Sequence, residues 1–414
     1  MPTPIPASSV QFSQAAYSIG EDGREAVITV TRTGDLSTSA SVEYATEADA
    51  SAVDCRTASG RASERCDFAT TRGALTFPAG DGSPRTFAVP IVDDAHVEGT
   101  EAFQLTLSNA NNATLGGQSV ATLTIADNDT KSQAANPLDD NSFFIRQQYR
   151  DFLNREADAP GFAFWLQTLQ GYLNQCGAGD VLTCRARAKA SVSEAFFVSV
   201  EFQQTGYLVY RLYKTSYPES PARPRGLPRY AEFLRDAQQI GSGVVVGSPD
   251  WEQKLEANKQ QYFREFVQRP EFTSRYPESL SAEQYVAALL TTAGLPQAGV
   301  ERQDALDAYG VGGIEGRAKA LLSIAESKRL FLLEFNKAFV LMQYFGYLRR
   351  NADEGEDASR PFSGYDFWLG KLNAESGDTT RFNTIDELLA PTKRAQMVEA
   401  FVVTGEYRRR FGPE

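Results

Sequence analysis

The hydrophobic period of this chain changes once, near residue 130, and that change limits the fold more than any single residue does. Before it, apolar positions alternate with small or polar ones. Phe87, Val89 and Ile91 alternate with Ala88 and Pro90, Phe103, Leu105 and Leu107 with Gln104 and Thr106, and Ala121, Leu123 and Ile125 with Thr122 and Thr124. A period of two is that of a strand buried on one face. With Val10–Ser18, Ala26–Thr33, Ser39–Ala45 and Arg72–Phe77, these runs make about seven short strands separated by Gly, Asp, Asn and Pro turns. An immunoglobulin-like antiparallel β-sandwich is the expected product.

Beyond the seam the spacing becomes helical. Phe144, Ile145, Gln148, Tyr149, Phe152 and Leu153 recur every three or four residues, and Ala195–Phe202, Tyr207–Tyr213, Gln261–Val267, Gln284–Leu290, Ala318–Ile324, Leu330–Leu348 and Gln396–Phe401 follow suit. The fold class is therefore multidomain β + α, the sandwich preceding an all-α repeat-derived helical domain. The seam itself, Asp127 to Pro137, is polar and broken by proline. The expected organisation is a flexible N-terminal arm at 1–9, the sandwich at 10–130, a linker at 131–141 and the all-α domain at 142–414.

The helical half repeats itself. Gln148-Tyr149-Arg150-Asp151-Phe152-Leu153-Asn154-Arg155, followed by Asp158, Gly161 and Phe164-Trp165-Leu166, returns as Gln343 to Arg350, then Asp353, Gly364 and Phe367-Trp368-Leu369. A second phrase, Phe196–Ser199–Glu201-Phe202, returns as Phe266–Arg269–Glu271-Phe272, as Phe401–Thr404–Glu406-Tyr407 and, more faintly, as Ile324–Ser327–Leu330. The three tryptophans each open a Trp-x-x-x-Leu phrase, at Trp165, Trp251 and Trp368. About four degenerate helical units account for this. The aromatic and leucine positions read as core, the Asp before Phe-Trp as a helix cap, and Arg155 or Arg350 as its partner.

Charge divides along the same seam. The 414 residues carry 41 Lys+Arg and 53 Asp+Glu, net −12. Residues 1–130 hold 17 acidic and 7 basic residues with no lysine, net −10, which leaves 36 acidic and 34 basic residues, net −2, for the remainder. This balance argues against nucleic acid or an anionic membrane as partner and in favour of cations. No run approaches the ~18 apolar residues of a membrane span. Met1–Ser9 lacks the apolar core of a signal peptide, so export is expected to use a signal that has been removed or lies outside this sequence.

The single histidine, His96, sits in an acidic turn and reads as a solvated turn residue, which leaves histidine-based catalysis without a base. The cysteines fall as Cys55/Cys66 and Cys176/Cys184, spacings that suit two local disulfides and an oxidising compartment better than zinc or a redox motif.

Strand parity then sorts the acid. Antiparallel strands alternate their ends between two poles, and one pole receives only Asp35 and Asp81. The other receives Glu21 and Asp22; Glu47, Asp49, Asp54, Glu64 and Asp67; Asp93, Asp94, Glu98 and Glu101; and Asp127 and Asp129. Carboxylates so crowded must raise their pKa values or bind cations. Calcium, with six to eight oxygen ligands, suits such a cluster better than magnesium.

This half resembles the Calx-beta family in Tyr17-Ser18-Ile19-Gly20-Glu21-Asp22-Gly23, in Gly73–Phe77, in Ile91-Val92-Asp93-Asp94 followed by Glu98 and Glu101, and in Thr124–Asp129. The resemblance implies a sandwich with calcium (Ca2+) sites at one tip, and ligand roles for Glu21, Asp67, Asp93, Asp94, Glu98, Glu101, Asp127 and Asp129. Asn128 and Ala95 replace acids of the family pattern, which implies fewer or weaker sites. The helical repeats resemble the bacterial family known as domain of unknown function 4214, whose members recur in secreted and surface-associated proteins.

These readings lead to an expected function: a non-enzymatic, exported bacterial surface or extracellular structural and adhesion protein, in which a calcium-binding module is joined to a helical interaction domain. Its partners would be calcium ions, envelope glycan or protein, and further copies of itself. Two alternatives stay open. One is a carbohydrate-binding or carboxylate-type glycan-active protein, with Trp165 and Trp368 as stacking platforms and Asp353, Glu354, Glu356 and Asp357 as candidate carboxylates. The other is a self-assembling filament or surface-layer subunit that uses the sandwich edges.

Overall fold

The computed structural model describes residues 7–47, 55–130, 135–177, 181–354, 359–382, 387–388 and 393–414. Positions 1–6 of the expected arm, 131–134 of the expected linker, and Asp49, Asp54, Glu356 and Asp357 lie outside the described residues. The chain divides into two compact units, residues 1–188 with 401–414, and residues 189–400.

Among the described residues nine strands build the sandwich: β1 (Ser9–Phe12), β2 (Ala16–Gly20), β3 (Glu25–Thr33), β4 (Ala40–Glu47), β5 (Arg72–Phe77), β6 (Arg85–Pro90), β7 (Glu101–Asn111), β8 (Thr114–Leu115) and β9 (Val120–Ala126). They form two sheets, in the order β6-β3-β1-β8 and β2-β9-β7-β4-β5. Val10, Phe12, Ile28, Val30, Phe87, Val89, Leu105 and Leu123 fill the space between them. Two stacked pairs, Phe68 on Phe103 at 3.8 Å and Tyr44 on Phe87 at 3.9 Å, add aromatic area to this core.

The run Val10–Ser18 is two strands rather than one. Val10 and Phe12 face the core from the first sheet, whereas Tyr17 and Ile19 pack against it from the second, and this change of parity marks the crossing between sheets. The hairpin ladders are antiparallel, as expected. The crossing, however, lays β2 parallel to β9, with Gly20 opposite Ala126, and β1 parallel to β8. Because β2 and β9 run together, Glu21 and Asp127 leave the sheet side by side. Antiparallel β7 begins at the same end, with Glu101 opposite Ile125, and the bridge between Phe68 and Ile91 brings Asp67 and the turn from Asp93 there too.

Beyond the seam the described residues are helical. The main helices are α1 (Asn141–Gln148), α2 (Ala159–Leu173), α3 (Val181–Val198), α4 (Val200–Gln204), α5 (Gly206–Ser216), α6 (Tyr230–Gly241), α7 (Trp251–Phe266), α8 (Pro270–Arg275), α9 (Ala282–Ala293), α10 (Val300–Tyr309), α11 (Gly313–Ala325), α12 (Lys328–Gln343) and α13 (Ser363–Ser376), with Lys393–Val402 and Gly405–Arg408 after them.

The repeated phrases have one geometry each. Ser199, Arg269, Ser327 and Thr404 all cap a following helix at φ between −66° and −59° and ψ between 137° and 147°. Each donates its backbone N–H to the carbonyl three residues before, on Phe196, Phe266, Ile324 and Phe401, at 3.1–3.2 Å. The residues that flank the break, including Phe202, Phe272, Leu330 and Tyr407, are buried in every copy. Likewise α1 and α12 both widen into a π-turn, Tyr149–Leu153 and Tyr344–Leu348, ended by left-handed Asn154 and Arg349. A Cβ at Gly161 or Gly364 would collide with the hydroxyl of Tyr149 or Tyr344, which is why glycine recurs there.

Some side chains depart from expectation. Leu169, Leu255 and Leu372 of the Trp-x-x-x-Leu phrases are core, but Trp165, Trp251 and Trp368 are half-buried rim residues. Asp158 caps α2 and pairs with Arg155 at 3.0 Å, whereas both carboxylate oxygens of Asp353 accept from Arg229 Nη1, at 3.0 and 2.8 Å, and Arg229 Nη2 donates to Glu354. Both expected disulfides are present, Cys55–Cys66 and Cys176–Cys184, with Cα atoms 5.8 and 5.7 Å apart.

One buried charge anchors the second unit. Asp236 has no exposed side-chain surface and accepts from the Tyr213 and Tyr262 hydroxyls, Arg269 through two nitrogens, and Arg235. Removing one partner of such a pair leaves an uncompensated charge. Asp236→Ala is accordingly expected to lower stability by about 3–5 kcal/mol in urea unfolding, far more than alanine at exposed Asp304.

Candidate metal centre

Four segments meet at one end of the sandwich, and each arrives for a local reason. Glu21 follows β2 in a short helical turn, and its carboxylate accepts the backbone N–H of Asp94 at 2.8 Å and that of Asn128. It therefore ties together the loops after β6 and β9. Asp67 closes the turn Ser63–Asp67, accepting from the Ser63 N–H at 2.5 Å while its own N–H donates to the Ser63 carbonyl. The Cys55–Cys66 disulfide pins that turn one residue earlier.

Six of the eight residues singled out from sequence gather in two trios. Glu21, Asp94 and Asp129 form one, and Asp67, Glu98 and Glu101 the other, with one oxygen from each member within 4.8 Å of the others in its trio. A cation with oxygen bonds of 2.3–2.6 Å spans ligands up to about 5 Å apart, so both spacings suit calcium. Glu21, Asp67, Asp94 and Glu101 are buried. The Asp94 Oδ2 and Asp67 Oδ1 atoms have no hydrogen-bond partner, and the Asp67 carboxyl lies beside that of Glu101. Buried acceptors in that condition are costly unless a cation satisfies them.

Asp93 and Asp127 lie beside the trios. Asp127 receives the N–H groups of Glu98 and Gly99 on Oδ2, at 2.8 and 2.7 Å, and that of Asp129 on Oδ1, at 2.6 Å. It shapes the two loops that present Glu98 and Asp129. Asp93 is exposed and accepts from the Asn128 side-chain amide at 2.9 Å, so the residue that interrupts the acidic run has a positioning role. His96 is not a solvated turn residue. It is half-buried, and its ring Nε2 donates to the Arg409 carbonyl at 3.0 Å, a contact that only the tertiary fold creates.

Comparison with known proteins bears on the same region. The Calx-beta domain family matches residues 6–129. Those residues are a Calx-beta domain. The sodium/calcium exchanger Calx of Drosophila melanogaster is 34% identical over 119 residues, which are 28% of this chain and 11% of the exchanger, so the chain spans about a tenth of that relative's length. The crystal structure of the apo-form Calx CBD1 domain is 31% identical, covering 30% of this chain and all of that one, with a TM-score of 0.26. The calcium-binding domain CBD12 of CALX1.1 is 32% identical over 29% of this chain and 46% of its own, also at 0.26.

Electrostatics within the Calx-beta domain follow from crowding. Burial, then the charges of Asp93 and Asp127, push Glu21 up to about 8, against the opposing pull of its backbone donors. Burial, then Asp67, Glu101, Glu21 and Asp127, push Glu98 up to about 9. Burial is also the first cause of the raised values of Asp67, Asp94 and Glu101. Without a cation the folded domain thus holds protons that the unfolded chain, titrating near 4.5, has released.

The sign follows directly: where the folded state binds more protons, stability falls as pH rises. In chelator, the melting temperature of the domain is expected to drop between pH 5.5 and pH 9 as Glu21 and Glu98 are forced to ionise. Saturating calcium is expected to remove that drop, because bound carboxylates are already ionised, and its binding should release protons and tighten with pH. Thermal scans across this range, with and without calcium, check both.

Proposed function

We propose that this is an exported bacterial surface or extracellular structural and adhesion protein, in which residues 10–130 bind calcium and residues 142–414, resembling domain of unknown function 4214, serve as a non-enzymatic helical interaction domain. The observation that carries the calcium reading is the pair of buried acceptors, Asp94 Oδ2 and Asp67 Oδ1, each inside a trio of carboxylates and neither facing a donor. One calcium ion per trio is the stoichiometry this supports, with Glu21, Asp94 and Asp129 holding one and Asp67, Glu98 and Glu101 the other. Asp93 and Asp127 complete the set from its edge. The two disulfides support an oxidising, extracellular setting, where millimolar calcium keeps even weak sites filled. No helix among the described residues is long and apolar enough to cross a membrane.

Calcium then acts as a stiffener. It neutralises like charges and adds a tie among four loops that are otherwise joined by hydrogen bonds alone. By mass action, calcium at a hundred times its dissociation constant adds about 2.7 kcal/mol per site. Calorimetric titration should show heat for the intact chain and a rise in melting temperature. Asp94→Ala and Asp67→Ala should each remove one binding event, and absence of both heat and stabilisation in the unaltered protein rejects the reading.

One observation favours a second reading, glycan binding by the helical half. Phe164 and Phe367 are 59% and 55% exposed, and each packs edge-on against the following half-buried tryptophan at 5.0 and 5.1 Å. An exposed aromatic ring on each of two equivalent helices offers an apolar face on which a sugar could stack. On a glycan array, the double variant Phe164→Ala/Phe367→Ala is expected to lose at least ten-fold in signal on that reading, while calcium binding stays unchanged.

A further inference from the structure

The C-terminal segment, residues 401–414, belongs to the same compact unit as the sandwich, and three of its hydrogen bonds fall on the two loops that carry Asp67 and Asp94. The Ala95 N–H, next in sequence to Asp94, donates to the Phe411 carbonyl at 2.9 Å. The neighbouring His96 is a two-sided bridge: its backbone N–H donates to Asp94 Oδ1 at 2.7 Å while its ring donates to the Arg409 carbonyl at 3.0 Å. On the other loop, Arg410 Nε donates to the carbonyl of Arg65, inside the turn that Asp67 closes.

The far side of this segment is firmly seated. Arg410 Nη1 meets Asp151 Oδ1 at 3.2 Å with both side chains essentially buried, and the Tyr407 hydroxyl donates to Asp151 Oδ2 at 2.7 Å. Asn136 donates to the carbonyls of Arg408 and Pro413, and Arg408 pairs through two nitrogens with Asp139. Phe411 packs edge-on against Phe143 and Tyr407. Asp151 is peculiar to this place, since the matching position in the second π-turn is Gly346. Breaking such a pair from one side leaves an uncompensated buried charge, so the pair opposes release of the segment.

We propose that calcium binding at the two trios and docking of residues 401–414 are linked, so that calcium fastens the C-terminal segment and the segment tightens calcium binding. This rests on the calcium reading above. Where no cation bridges the carboxyl groups of each trio, the loops at 63–67 and 93–98 lose that tie, and with it the firm placement of the carbonyl, N–H and imidazole that hold the segment. Linkage requires the reverse effect to be equal in size.

Hydrogen exchange on the full unaltered chain, in calcium and in chelator, tests the link without any substitution. Calcium should slow exchange both in peptides covering 93–101 and in those covering 401–414. Slowing at 93–101 alone overturns the link and leaves the calcium reading intact; slowing at neither overturns the calcium reading itself. In parallel, Arg410→Ala, or Asp151→Asn if the first fails to fold, should weaken calcium binding about five-fold or more in calorimetry. An unchanged affinity in a folded variant overturns the link.

Discussion

Six carboxyl groups crowded at one end of a small sandwich are the constraint to which the rest of that end answers. Glu21, Asp67, Asp94, Glu98, Glu101 and Asp129 come from four separated stretches of chain, so their repulsion cannot be relieved by any local rearrangement. The surrounding hydrogen bonds make sense as responses to it. Backbone N–H groups of Ser63, Asp94, His96, Glu98, Gly99 and Asp129 all point at acid oxygens, holding the loops while leaving other oxygens of Asp67 and Asp94 without a donor. On the proposed calcium reading, a hard cation satisfies what remains.

The strands deliver these groups through a parallel pairing. Had β1 and β2 been one continuous strand, Glu21 would leave the sheet elsewhere; the crossing between sheets lays β2 along β9 and places Glu21 beside Asp127. Alternation at Phe87–Ile91, Phe103–Leu107 and Ala121–Ile125 is directly legible as half-buried strand, because a one-residue slip would expose every one of those side chains. The crossing was visible only as the shift from even Val10 and Phe12 to odd Tyr17 and Ile19, a signal easily absorbed into a single run. The convergence of acid was legible from strand parity, but its division into two trios was not. That depends on side-chain reach and on Asp127 turning inward to cap the Glu98 and Asp129 loops.

In the helical half, repetition carried more information than periodicity. Four phrases separated by dozens of residues share one capping geometry, since a buried residue, a three-residue turn and a second buried residue admit few backbone solutions. The tryptophans were misleading for the opposite reason: their leucine partners at i+4 are core, and the rings lie at the rim. His96 and Arg410 gave no sequence signal, because their contacts join residues more than three hundred positions apart.

Counting ions tests the central claim most directly. Equilibrium dialysis of the intact chain against labelled calcium should find two ions bound per chain, and one when Asp94 is replaced by asparagine. No bound calcium at millimolar concentration, or a count unaffected by that substitution, would contradict the assignment of these carboxylates to a metal.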